Sequence, residues 1–286
     1  MRTPTTTSSR TWFITGASRG LGRAFALAAL ERGDRVVAAA RTIKEQDFDD
    51  RYGDRLLALV LDVTDRAAVF AAVNTVVERF GRLDIVVNNA GTMSSGMVEE
   101  FTEAEARAQL EVNLFGAMWV CQAVLPHLRA QRSGHIVQIS SIAALGGFPS
   151  TGLYSASKFA LEGMSEALAM EVAPFGVKLS MVQPGGYWTD LYSSMAMTSP
   201  MEEYAPLRAE VERQWAEGSV DSEPRLAAEA LLKLVDSEDP PLRLLLGGMV
   251  YDLAFDIARQ RMRTWAAWEQ VSRAAEHAVP APGTTG

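Results

Sequence analysis

Apolar residues in this chain fall into short, unbroken runs separated by longer stretches with helical spacing. The runs are Trp12–Thr15, Val36–Ala40, Leu56–Leu61, Asp84–Val87, Ile136–Ile139, Val177–Val182 and Leu242–Leu246. Each is too short for a helix and most are rich in β-branched residues, so they predict strands. Continuous rather than alternating apolar character predicts strands buried on both faces. Between and after them, Arg23–Arg32, Ala67–Phe80, Glu103–Ala130, Leu153–Val172, Glu202–Trp215, Pro224–Val235 and Asp252–Ala275 read as helices. Their ends carry the expected signals: Gly33 and Gly81 as stops, Thr102 with Glu105 as a capping box, Ser222 as a cap with Pro224 in the first turn. Strand and helix alternate through most of the chain, which predicts an α/β fold with a doubly wound, parallel, seven-stranded sheet. No internal repeat or long linker divides residues 1–286, so one domain is expected, with flexible ends at 1–10 and 279–286.

Composition narrows the setting. The 286 residues are 48% apolar, enough for a large core. No apolar run reaches the ~18 residues of a membrane span. The Thr- and Ser-rich opening, Met1–Thr11, has no apolar segment of the kind a secretory signal carries. One cysteine, Cys121, excludes an internal disulfide and suits a reducing compartment. A net charge of −8 without a Lys/Arg cluster argues against a nucleic-acid partner. His127 and His135 stand apart from each other and from any thiol or carboxylate cluster, so no metal site is expected. A cytoplasmic protein that handles a small molecule, with neither nucleic acid nor membrane as partner, is the expectation.

Candidate chemistry sits where the predicted strands end. Thr15–Gly22, T-G-A-S-R-G-L-G, follows the first strand and opens the first helix. Glycines in such a turn let backbone approach a pyrophosphate closely, and the helix N-terminus adds N–H donors and positive potential. The spacing is G-x-x-x-G-x-G rather than the commoner G-x-G-x-x-G. After the second strand, Ala40 stands where an acidic residue would bind a ribose 2′-hydroxyl, and Arg41-Thr42 follow. With Arg19 in the glycine turn, two cations and no carboxylate favour a 2′-phosphate and hence NADP(H) over NAD(H). Asp62-Val63 closes the third strand; Asp62 could accept from an adenine amino group, with helix capping at Asp65 a competing task for that loop. Asn88-Asn89-Ala90-Gly91 is either a strand end packed on a cofactor or an ordinary turn. Asn113 lies inside a predicted helix among apolar residues, where asparagine is a poor choice. Ser141 ends the fifth strand, and Tyr154 and Lys158 are one helical turn apart. Moving a tyrosine from its ordinary pKa of ~10 to the ~7 that suits proton transfer takes roughly 4 kcal/mol, part of which a neighbouring ammonium supplies.

Taken together, Thr15–Gly22, Asp62-Val63, Asn88–Gly91, Asn113, Ser141, Tyr154-x-x-x-Lys158 and Pro184-Gly185 with Thr189 stand in the order found in the classical short-chain dehydrogenase/reductase family, which the sequence resembles from Thr15 to Thr189. The resemblance implies a Rossmann fold and an oxidoreductase that interconverts a ketone and a secondary alcohol. Asn113, Ser141, Tyr154 and Lys158 would be catalytic: Tyr154 as general acid/base, Lys158 lowering its pKa and holding the nicotinamide ribose, Ser141 bonding the substrate oxygen, and Asn113 interrupting its helix to hold a water near Lys158. Gly16, Ser18, Arg19, Gly20, Leu21, Gly22, Arg41 and Thr42 would bind the cofactor. Asp62, Val63, Asn89, Ala90, Gly91, Pro184, Gly185, Tyr187 and Thr189, with Tyr154 and Lys158, would complete that site. Family members are commonly dimers or tetramers, which implies a homo-oligomer here, with Trp265 and Trp268 either core or subunit contact. The chain is longer than many members, and an expanded lid is expected over 190–240. Ser141, Leu145, Phe148, Trp188, Tyr192 and Met195 would then line a site for a fairly large, apolar substrate. Two alternatives stay open: a catalytically silent NADP(H)-sensing regulator, and an NAD(H)-preferring alcohol dehydrogenase of the same family. A sugar-nucleotide epimerase or dehydratase on a related fold is disfavoured by length and glycine spacing.

Overall fold

The computed structural model describes residues 9–218 and 221–276. Most of the expected flexible ends, 1–8 and 279–286, therefore lies outside the described residues. Ser9 and Arg10 are described and held: the Ser9 hydroxyl donates to the Gly33 carbonyl, and Arg10 Nη1 donates to the Val235 carbonyl at 2.8 Å.

The predicted strands form β1 (Thr11–Thr15), β2 (Arg35–Ala40), β3 (Leu56–Val60), β4 (Ile85–Asn88), β6 (Gly134–Ile139), β7 (Val177–Pro184) and β9 (Arg243–Leu246). They pair in the order β3-β2-β1-β4-β6-β7-β9, every pairing parallel. Two further strands, β5 (Ser94–Ser95) and β8 (Ala196–Met197), make a small parallel pair of their own.

Because side chains alternate across a strand, neighbours in β1 feed opposite cores. Trp12 and Ile14 pack with Phe25 and Leu30 of α1 (Gly20–Glu31) and with Leu231 of α7 (Pro224–Asp236). Phe13 packs on the other face, where α2 (Arg66–Phe80) supplies Val69 and Val73, and α4 (Ala117–Gln131) supplies Val120 and Val124. Leu168 and Val172 of α5 (Gly152–Val172) complete that side. The chain winds outward from β1 to β3, returns to β4 beside β1, then winds the other way. A parallel sheet that reverses in this manner opens a crevice at the carboxyl ends of the two strands at the reversal.

Four departures from the expected elements matter. The helix expected over Glu103–Ala130 is α3 (Glu103–Leu110) and α4 joined by a π-helical segment, Glu111–Gly116, with Asn113 inside it. Such wide turns are rare and recur at functional sites. Ser222 does not cap α7; its backbone pairs with Gly186 and Trp188 instead, and Glu223 stands at the N-cap without a side-chain bond. α7 belongs to the core, so the segment over the crevice is shorter than 190–240. It includes β8 and α6 (Ala205–Gly218).

The last helix begins earlier than expected, as α8 (Gly248–Ala267), and breaks at Trp268 before α9 (Glu269–Ala274). Every residue from Ala258 to Glu276 is exposed. Trp265 and Trp268, at 67% and 60% exposure, are therefore not core residues.

Candidate active site

The glycine turn after β1 is shaped by two left-handed residues, Gly16 (φ 66°) and Gly20 (φ 55°), a conformation that costs side-chain-bearing residues ~1 kcal/mol or more. Gly22 is required for a different reason. A Cβ there would lie 2.3 Å from Asn89 Nδ2 and 2.4 Å from the Gly16 carbonyl oxygen. Asn89 is packed so closely because its amide braces the turn, donating to the carbonyls of Thr15 and Gly16 at 3.0 and 3.1 Å. Thr15 Oγ1 accepts from the backbone N–H groups of Asn89 and Ala90, both at 3.1 Å. The motif after β4 thus fastens the glycine turn from below. Arg19, the N-cap of α1, makes no capping bond to the helix, which leaves the first-turn N–H groups for a ligand.

At one end of the crevice Arg41 is exposed, and Arg19 reaches over to Ser194 Oγ at 3.1 Å and Asp190 at 3.8 Å. The two tasks weighed for the loop after β3 are divided between two residues. Asp65 caps α2 by accepting from the Ala68 N–H, whereas Asp62 accepts from the N–H and hydroxyl of Thr64. Those bonds, led by the Thr64 N–H, hold the Asp62 carboxyl below its ordinary range.

The other end is buried. Ser141 follows β6 and accepts from the Ala143 N–H at 3.1 Å. The Tyr154 hydroxyl on α5 is pushed up to about 12 by burial, against a hydrogen bond with Ser141 that works the other way. Lys158, one turn on, is pulled down to about 8 by burial, with Glu162 opposing. Its ammonium donates to the Ile139 carbonyl at 2.9 Å and lies 5.8 Å from the centre of the Tyr154 ring. The expectation that Lys158 draws the tyrosine pKa down is therefore corrected here. Burial of the hydroxyl leads the shift, and Ser141, not Lys158, is the group that opposes it.

Asn113 joins the loop after β4 to α5. Its Oδ1 accepts from the Thr92 N–H, and its Nδ2 donates to the Thr92 carbonyl and Ser157 Oγ, all at 2.9 Å.

A family model described as short chain dehydrogenase matches residues 10–199. This chain belongs to the short-chain dehydrogenase family. It is similar to the oxidoreductase BOA17 of Botryotinia fuckeliana, 41% identical over 271 residues, which span 93% of this chain and 99% of that protein. It is also similar to a 3-ketodihydrosphingosine reductase of Bacteroides thetaiotaomicron, 40% identical over 244 residues, or 83% and 87% of the two chains. Among solved structures, a short-chain dehydrogenase from Streptomyces avermitilis superposes with a TM-score of 0.86 at 39% identity, covering 94% of this chain and 100% of that one. Two more distant ones carry cofactors. A Burkholderia cenocepacia short chain dehydrogenase in complex with NADP has a TM-score of 0.70 at 29% identity, covering 91% and 97%. A 3-ketoacyl-(acyl-carrier-protein) reductase from Brucella melitensis complexed with NADH has 0.71 at 25%, covering 84% and 97%. The short-chain dehydrogenase described here is accordingly an oxidoreductase that acts on CH–OH or C=O groups with a nicotinamide dinucleotide, NAD or NADP.

The crevice of this short-chain dehydrogenase is one continuous cavity of about 1660 Å³. Typical ligand pockets measure roughly 300–1,000 Å³, so it has room for a dinucleotide and a second molecule together. Its wall contains Gly16, Ser18, Arg19, Gly20, Leu21, Arg41, Thr42, Asp62, Val63, Asn89, Ala90 and Gly91, then Ser141, Tyr154, Lys158, Pro184, Gly185, Tyr187 and Thr189. Of the expected substrate residues, Phe148, Tyr192 and Met195 join Ser141 there. Leu145 and Trp188 do not: the Leu145 carbonyl accepts from Arg261, and Trp188 is 66% exposed to water. Gly22 and Asn113 stand behind the wall, one by close packing and one as a brace.

Four lining residues carried no signal in the sequence. Gln214 and Trp215 of α6, and Met249 and Leu253 of α8, reach the cavity only through long-range packing. Glu100 was also missed. Its fully buried carboxylate accepts from Thr198 Oγ1, the N–H groups of Met97 and Met201, and Arg208. Those bonds, led by the Met201 N–H, hold it down to about 2, and they clamp the segment around β8 and α6 over the cavity.

Proposed function

We propose that this short-chain dehydrogenase interconverts a ketone and a secondary alcohol by hydride transfer, prefers NADP(H) to NAD(H), and takes a large, apolar substrate. The observation that carries the reading is the grouping of Ser141, Tyr154 and Lys158 on one wall of the cavity that also contains the glycine turn. The turn fits a dinucleotide: its α1 N-terminus lacks a side-chain cap, and Gly16, Ser18, Arg19, Gly20 and Leu21 line the cavity beside it. When bound, the nicotinamide supplies or takes up the hydride.

The chain's own residues do the rest. The turn's N–H groups hold the pyrophosphate, Arg19 and Arg41 the 2′-phosphate, and Thr189 with the backbone near Tyr187 the carboxamide. Tyr154 gives its proton to the carbonyl oxygen, and Ser141 hydrogen-bonds that oxygen as charge develops. At a pKa of about 12 the phenol keeps its proton until that moment. Lys158 holds the ribose, and its charge stabilises the phenolate left behind. Asn113 carries a water near Lys158; a Cβ on Gly91 would lie 3.4 Å from Asn113 Oδ1 and 3.7 Å from Lys158 Nζ, so the two groups border one spot.

Phe148, Met195, Trp215 and Leu253 support an apolar substrate, as does the likeness to a protein named for 3-ketodihydrosphingosine. The protein works in the cytoplasm as a homodimer or homotetramer, a reading supported by its lone buried Cys121 and the water-facing Trp265 and Trp268.

The test follows NADPH absorbance with ketones of graded size. Tyr154→Phe is expected to lose at least ~100-fold in turnover while still binding cofactor; near-normal turnover contradicts the assignment. Bulky cyclic ketones are expected to turn over faster than acetone-sized ones. The reverse order removes the substrate class and leaves the chemistry.

A further inference from the structure

Behind the catalytic wall sits a carboxylate that the reaction as described does not use. Glu162 is 5% exposed and lies on α5 four residues after Lys158, so the two side chains share a helix face. Three elements of the sheet converge on it. Ser140, next to Ser141 at the end of β6, donates to Glu162 Oε1 at 2.6 Å. Gln183 of β7, next to Pro184-Gly185, donates to the same oxygen at 2.7 Å. Arg243 of β9 donates to Oε2 at 3.0 Å and pairs with Glu166 at 2.8 Å.

Building on the hydride-transfer reading, we infer that Glu162 is a positioning residue of the reaction, whose buried carboxylate fixes Ser141 and the Pro184-Gly185 turn through their chain neighbours and balances the charge of Lys158.

A buried carboxylate of this kind is costly to hold unless partners surround it, and removing it strands the partners. Ser140 and Gln183 lie immediately before residues that line the cavity, so their bonds to one carboxylate couple the substrate-oxygen site to the cofactor turn. The charged groups around Glu162 are Lys158 and Glu166 from its own helix and Arg243 from β9; β6 and β7 present the neutral Ser140 and Gln183. Around Lys158, β6 presents the Ile139 carbonyl, the π segment presents Asn113, and α5 presents Tyr154 and Glu162. Glu162 is thus the buried anion that offsets the desolvation of Lys158. Without it the ammonium loses its proton at lower pH.

The experiment reads Lys158 directly. The lysines of the sequence are Lys44, Lys158, Lys178 and Lys233, so a ¹³Cε-lysine NMR titration resolves them, with Lys158→Arg assigning the signal. Glu162→Gln is expected to lower the Lys158 midpoint by at least about one pH unit, a tenfold change in proton affinity. The alkaline limb of the kcat/KM profile for reduction is expected to move with it. Arg243→Met, at the sheet edge, leaves the carboxylate with less positive company and is expected to move the midpoint the other way. A Lys158 midpoint that stays put in both variants overturns the inference, even if turnover falls, because a merely structural loss lowers kcat without moving a titration. If Glu162→Gln does not fold, Arg243→Met decides alone. The NMR arm needs no turnover, so a wild type inactive on every ketone defeats the hydride-transfer reading while the titration still judges Glu162.

Discussion

The two ends of the cavity are built on opposite principles. At the inner end Asn113, Ser141, Tyr154 and Lys158 are each buried, and each is held by bonds to neighbouring groups. Burial there moves the tyrosine up to about 12 and the lysine down to about 8. At the far end Arg19 is about half exposed, Arg41 stands in water, and Asp62 is engaged by its own turn. Charges of the first kind act in a low dielectric and respond little to salt, whereas those of the second are screened within about 8 Å at physiological ionic strength. The contrast teaches that fixed geometry is concentrated where groups are buried, and adaptability where they stand in water.

Three changes sharpen or break that comparison. The largest effect is expected from Gly22→Ala, on the rigid floor between the two ends. Its methyl would meet Asn89 and the Gly16 carbonyl at 2.3 and 2.4 Å, so the turn must shift at a cost of about 1–3 kcal/mol. Calorimetry with NADPH and with NADH is expected to show both affinities reduced by ten-fold or more. Unchanged binding would mean that the turn is not braced as described.

Arg41→Ala comes next, acting at the exposed end alone. It is expected to weaken NADPH by roughly ten-fold, near the lower end, ~1.5 kcal/mol, of a hydrogen bond to a charged group, and to leave NADH nearly unaffected. The NADPH loss is expected to shrink as salt rises; equal losses for both cofactors remove the 2′-phosphate role.

The smallest effect is a pH dependence with its origin at the buried end. In the proposed reaction Lys158 must keep its charge, and a group titrating at about 8 loses that charge as pH rises through 8. Reduction is expected to decline above that point, at both low and high salt. A midpoint that slides with ionic strength would show that the lysine is not shielded as its burial implies.

The same contrast explains what could be read from residues alone. The seven main strands and the parallel winding were legible because short runs such as Val36–Ala40 and Ile136–Ile139 are buried on both faces and flanked by turn signals. Asn113, Ser141, Tyr154 and Lys158 stood out in the sequence because their spacing is local or because, like Asn113, they offend a local rule; the π turns explain the offence. The direction of the Tyr154 shift was not legible, since it comes from burial, and Met93, Ala143, Leu191 and Met195 meet Tyr154 only through long-range packing. Glu100 and Trp215 were hidden for a related reason: Glu100 meets Met201 and Arg208 across about a hundred residues of chain. Leu145 and Trp188 look apolar enough for a substrate wall, but side-chain type does not say which way a loop faces. Ser222 resembles a cap by position, and its backbone is taken by the Tyr187 segment instead.

The water-facing arm formed by the end of α8 and by α9 has an optical consequence. Of the six tryptophans, Trp188, Trp215, Trp265 and Trp268 are exposed in the single chain, so its emission is expected at long wavelength until a second subunit covers the arm. Trp215 alone among the six borders the cavity. Replacing both arm tryptophans with phenylalanine removes much of that glow, so that quenching of Trp215 stands out more clearly when the chamber fills.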